Sequence, residues 1–205
     1  MRALAPLLAF ALCGLAPAGA SAQDAAHQVG RSVKPGQLFA GRLLNVHAPE
    51  SFGWIFTGYV NNGLGFARKG AAQDESYGAQ AVLFDLPPTS SSEDLVAVVR
   101  NRVESANPPP RFAALESDYA FSDRRGYPCV RFRGSFDDRE ALTAAGTRTT
   151  MNMQVVALYC RHPSVPNAGF FAAYSHRGAG KVADLEARAQ QFIEGVQVPP
   201  QGDRQ

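Results

Sequence analysis

The chain predicts an α+β class protein: a single domain with a central antiparallel sheet of about six to seven strands, ending in a meander and packed by two main helices. Three observations carry this. Short runs rich in aromatic and β-branched residues recur between Trp54 and His176 with turn residues separating them. Only two stretches, about 92–106 and about 181–194, repeat their apolar residues at helical spacing. The links among the last four strand candidates are short, and short links join antiparallel neighbours.

The elements follow in order. Trp54-Ile55-Phe56-Thr57-Gly58-Tyr59-Val60 and Leu64-Gly65-Phe66-Ala67-Arg68 flank Asn61-Asn62-Gly63, and an Asn-Gly pair between such runs predicts a hairpin, because both residues tolerate positive φ. Trp54, Phe56 and Phe66 are expected in the core. Residues 81–86 alternate, with Val82, Phe84 and Leu86 on one side, and Pro87-Pro88 ends that strand. Ser90 and Glu93 have capping-box spacing ahead of Val96, Val99 and Val103, so a helix is expected over about 92–106. Strands are then expected at about 112–121, 127–137, 150–160 and 168–176. In the last helix Val182, Leu185, Ala189 and Phe192 form one stripe, Asp184 and Arg188 stand one turn apart, and Gly195 is a natural stop.

The first 22 residues read as a cleavable signal peptide. Arg2 is followed by an apolar run from Leu4 to Leu15, too short to span a bilayer, and by the small residues Ala20-Ser21-Ala22. Cleavage near Ala22/Gln23 would place the protein in the periplasm or outside the cell, with no transmembrane segment left. The domain plan is therefore 1–22 signal peptide, 23–36 flexible leader, 37–198 one globular domain and 199–205 disordered tail. Leu12 before Cys13 departs from the small residue that lipoprotein signals carry there. Net charge on the whole chain is +2, and its arginines are scattered, which argues against a nucleic-acid partner.

Removing the signal removes Cys13 and leaves Cys129 and Cys160, most simply a disulfide in an oxidising compartment. Side chains alternate along strands, so placing Cys129 opposite Cys160 sets Arg133 opposite Val156 and Ser135 opposite Gln154. Both cysteines then share one, more polar face with Arg131 and Arg133. No C-x-x-C arrangement or resolving thiol supports redox chemistry.

The sequence names no catalytic residue. Arg161, His162, His176 and Arg177 lie at strand ends and are candidate anion ligands, with Arg131 and Arg133 beside them, since guanidinium and imidazolium groups suit carboxylate or phosphate. An antiparallel pair, however, puts His176 about one strand length from Arg161. His27, His47, His162 and His176 lack metal-binding spacing, Ser175 lacks a G-x-S-x-G context, and Asp137 with Asp138 reads as loop charge, so neither a metal nor a cofactor is expected.

The order hairpin, strand, helix, antiparallel strands, C-terminal helix, over roughly residues 40 to 198, resembles the α/β/α sandwich of the PsbP-like proteins. That family is named for an extrinsic subunit of photosystem II and shares its fold with a nuclear Ran-binding protein. The segment Tyr159 to Pro163, followed by Phe170-Phe171-Ala172-Ala173-Tyr174-Ser175-His176-Arg177-Gly178 and a terminal helix, is similar to a pattern in exported proteins of proteobacteria. The first resemblance implies an accessory or binding role in a larger assembly, the second a compartment. The expected function is a non-catalytic periplasmic or secreted binding protein whose partner is a protein or a small anionic ligand of the cell envelope. The alternatives are a small hydrolase or anion-binding enzyme using the Arg161, His162, His176 and Arg177 region, and an envelope structural protein that recruits a partner through a sheet edge.

Overall fold

The structure, a computed structural model, describes residues 30–60 and 62–200. The expected signal peptide, residues 23–29 of the leader with His27, and residues 201–205 of the tail lie outside the described residues.

Among the described residues ten strands and two helices are arranged as β1 (Leu38–Phe39), β2 (Asn45–His47), β3 (Ile55–Val60), β4 (Gly63–Lys69), β5 (Ser76–Asp85), α1 (Ser92–Ala106), β6 (Phe112–Ser122), β7 (Cys129–Leu142), β8 (Arg148–Arg161), β9 (Ala168–Gly178), α2 (Leu185–Glu194) and β10 (Val196–Gln197). The main sheet has seven strands in the order β3-β4-β5-β9-β8-β7-β6. Every pairing in it is antiparallel. A second, three-stranded sheet, β1-β2-β10, is not foreshadowed by the sequence; its strands are two or three residues long, too short to show a period.

Two cores hold the layers together. On one face α1 lays Leu95, Val99 and Val103 against Phe132, Phe136 and Tyr159. On the other, α2 and the small sheet cover Trp54, Phe56, Phe66, Phe170 and Tyr174, with Phe192 and Val196 contributed from above. Burial under α1 pushes the Tyr159 hydroxyl up to about 12. The N-cap of α1 is Ser91, whose Oγ accepts the Asp94 amide at 3.1 Å, while Asp94 Oδ2 accepts the Ser90 amide at 3.1 Å. The expected Ser90–Glu93 box is thus displaced by one residue, because consecutive serines offer several equivalent hydroxyls.

The disulfide register is as expected. Cys129 pairs with Cys160, Arg133 with Val156 and Ser135 with Gln154. The two sulfurs are bonded across a sequence separation of 31. The face they share carries Arg131 and Arg133, as expected, but it is covered rather than open: both cysteines are buried beneath α2, in a core with Val156, Leu158 and Leu185.

Three further expectations change. In the first hairpin Val60 pairs with Gly63, so Gly63 belongs to β4 rather than to the turn. Asn62 takes the positive φ of 65°, and Gly63 is needed because a Cβ there would sit 2.2 Å from the Ala81 carbonyl oxygen. Residues 30–33 are no free leader: the Gly30 amide donates to the Phe56 carbonyl at 2.7 Å, Val33 to Trp54 at 3.0 Å, and Ser32 bridges Ile55. Bare amides and carbonyls on the edge of β3 give this segment its partners. Finally, α2 begins at Leu185 rather than near 181, since the Val182 amide is taken by Gln154 Oε1 at 2.6 Å.

Candidate functional site

Each of the six basic residues singled out by sequence has a partner. Arg131 reaches α2, donating to Gln190 Oε1 at 2.6 Å and pairing with Glu186. Arg133 pairs with Asp118 at 2.6 Å across β7 and β6. Arg161 straps the chain entering α1, donating to the Pro87 carbonyl at 2.9 Å and to Thr89 Oγ1 at 3.1 Å. His162 is buried; its Nε2 meets the Leu43 carbonyl at 3.2 Å and its Nδ1 accepts the Ser164 amide at 3.2 Å. That arrangement assigns a neutral ring with the proton on Nε2. Arg177 shares the fully buried Asp138 carboxylate with Arg111, at 3.0 and 2.9 Å. His176 lies 3.0 Å from Glu75 Oε1.

These groups do not form one pocket. Along β8, Arg161 pairs with Gly169 and Gln154 pairs with His176. The two pairs stand seven positions apart on the strand, about 23 Å at roughly 3.3 Å per residue. One small substrate cannot bridge that distance, so the hydrolase or anion-enzyme built on Arg161, His162, His176 and Arg177 has no common centre.

Chemistry converges elsewhere, at the end of the sheet where β4, β5 and β9 meet the first turns of α2. Strand register sets a polar row on the α2 face: Arg68 pairs with Tyr77, Tyr77 with His176, and His176 with Gln154. The neighbouring row is apolar, running Phe66, Ala79, Tyr174 and Val156. The Arg68 guanidinium lies 4.6 Å from the Tyr77 ring and 5.3 Å from the Trp54 ring, and Arg188 of α2 approaches Tyr77 at 5.5 Å. Ser51 Oγ accepts from both Trp54 Nε1 and Arg68 Nη1, each at 3.0 Å. Arg68, Tyr77 and Arg188 line an open cleft of about 1290 Å³ with Tyr174, Lys69, Glu50, Phe52 and Gln191 among its walls. None of the six predicted residues lines it.

Glu75 anchors the floor. It accepts the Ala72 amide at 3.1 Å and the Tyr77 hydroxyl at 3.0 Å in addition to meeting His176. The Ala72 amide, then Tyr77 and His176, hold its carboxyl below the usual range against the effect of burial. Burial, then the Glu75 hydrogen bond, pushes the Tyr77 hydroxyl up, and burial does the same for Tyr174. Gly70 makes this arrangement possible, since a Cβ there would lie 2.1 Å from Glu75 Oε2. His176 is only 2 % exposed and its Nδ1 has no hydrogen-bond partner. Stacked guanidinium and phenol rings beside free space are equipped to bind planar or anionic groups.

Sequence reasoning overlooks this cleft for two reasons. The alternation Leu64, Phe66, Arg68 does place a cation on the apolar face of β4, and that is the available signal. Tyr77 escapes because the strand expected at residues 81–86 starts later than β5 does, and the small residues Gly78, Ala79 and Ala81 give the alternation after Tyr77 little apolar weight. Nothing local shows that β5 pairs with β9.

No protein-family model matches the chain, and no curated protein matches it. Among solved structures it is similar to the Ran-binding protein Mog1p of Saccharomyces cerevisiae, with 11% identity, TM-score 0.41, and 83% of this chain and 96% of that chain covered. A point mutant of Mog1 is similar at 12% identity and TM-score 0.41, covering 82% of this chain and 95% of the other.

Proposed function

We propose that the protein is a non-catalytic binding protein of the periplasm or extracellular medium, and that it takes its ligand or partner in the Arg68 cleft. The observation that carries this reading is the convergence of Arg68, Arg188, Tyr77 and Tyr174 on one open cleft. The buried Cys129–Cys160 bond supports an oxidising compartment. Among the described residues no helix is long and apolar enough to cross a membrane. The layering of α1, a seven-stranded sheet and α2 supports a PsbP-like sandwich, and with it an exported proteobacterial protein serving a larger assembly, as part of the same proposal.

A fragment screen read by amide NMR tests the binding reading. Shifts clustered on residues 51–54, 67–77 and 188–191 support it; shifts scattered over the surface, or gathered around His162, oppose it. The sheet-edge alternative has one observation in its favour: β6 is an outer strand of 11 residues. Against it, the bulge between Ala114 and Glu116 and the ion pairs Glu116–Lys181 and Asp118–Arg133 blunt that edge.

A further inference from the structure

We propose that the Arg68 cleft selects an organic monoanion, a carboxylate carried on an apolar group. This rests on the binding reading above and names the class of ligand.

Arg68 is an incompletely satisfied cation. Its Nη1 donates to Ser51 Oγ, its Nε is buried without an acceptor, and among the described residues no carboxylate pairs with it. Arg188, by contrast, is held by Asp184 at 2.7 Å. A guanidinium that has given up part of its hydration for one neutral hydrogen bond gains most from an anionic acceptor. Arg68 is also pre-oriented: the Tyr77 and Trp54 rings lie 4.6 and 5.3 Å from it, so little side-chain entropy remains to be lost when an anion arrives.

Charge sets the valence. Three cationic side chains, Arg68, Lys69 and Arg188, share the lining with two carboxylates, Glu50 and Glu75. The lining therefore carries a formal excess of one positive charge, which one carboxylate neutralises and a dianion such as a phosphate monoester exceeds. The rim supplies the apolar half of the recognition. Phe52 is 84% exposed and Ile55 39% exposed, and both line the same cleft. Exposed apolar side chains flanking an unpaired cation fit an amphiphilic acid, with the hydrocarbon against Phe52 and the carboxylate on Arg68.

Trp54 is the only tryptophan in the chain, and it touches both Ser51 and Arg68, so its fluorescence reports on the site directly. The full-length mature protein is titrated with 3-phenylpropionate, with 3-phenylpropionamide of the same shape but no charge, with propionate, and with inorganic phosphate. The expected result is saturable binding of 3-phenylpropionate, at least tenfold weaker binding of the other three, and at least tenfold loss in Arg68→Gln. Equal affinity for the acid and the amide overturns the anion assignment while leaving a binding cleft. No saturable signal from any probe, with NMR shifts outside the cleft, overturns both readings. The acid–amide comparison needs only the wild-type protein, so it decides the matter even if Arg68→Gln does not fold.

Discussion

Replacing Cys129 and Cys160 together by alanine should destabilise the domain by about 3.7 kcal/mol. The figure follows from the closed loop: with the bonded residues 31 apart, the chain-entropy relation removes about 12 cal/mol/K from the unfolded state. Both positions are buried in the α2-side core, so taking the sulfurs away also leaves a small void there, which acts in the same direction. With a urea slope of about 2 kcal/mol/M, the unfolding midpoint should fall by roughly 2 M. The assay is urea denaturation followed by Trp54 fluorescence and by circular dichroism, on wild type, on the double variant, and on wild type with dithiothreitol. Reductant should reproduce the part of the variant's shift that comes from the bond, leaving out the void. A midpoint shift below about 0.5 M would refute the reasoning, because the bond would then not limit the unfolded chain as its loop length requires.

Three more outcomes are expected. Asp138→Asn should cost about 2–3 kcal/mol by thermal or urea unfolding, because two guanidiniums lose the buried carboxylate they share. Glu75→Gln should lower stability at about pH 6 and converge with wild type only in acid, below the ordinary carboxylate range: a carboxyl held below its ordinary value stabilises the fold above that value, and the contribution disappears as falling pH protonates it. Ser91→Ala should cost about 1 kcal/mol through loss of the cap on α1, measurable as a small fall in the unfolding midpoint, whereas Ser90→Ala should change little.

Local chemistry makes much of the fold legible. Val99 and Val103, one helical turn apart and both facing inward, place α1 on the sheet by period alone, and Leu95 extends the same stripe. The Cys129–Cys160 register is readable because parity leaves few alternatives once one pair is fixed. What cannot be read depends on distant partners. The Arg68, Tyr77 and His176 row joins strands from widely separated parts of the chain, and its pairing is decided by the whole sheet rather than by neighbours in sequence. The separation of the basic candidates, by contrast, is legible beforehand: an antiparallel return carries His176 and Arg177 away from Arg161 and His162, so proximity in sequence becomes separation in space. The alternation of β7 shows which face is the more polar but not what covers it: α2 lies over Arg131 and the cysteines.

The guanidinium 1H–15N signals of Arg68 test the central claim most directly. In the free protein its Nε has no acceptor and its Nη1 is held by Ser51. Adding 3-phenylpropionate should move those signals and sharpen them as the oxyanion restrains the guanidinium, while 3-phenylpropionamide should leave them in place. Signals that respond equally to both compounds, or to neither, would contradict the account.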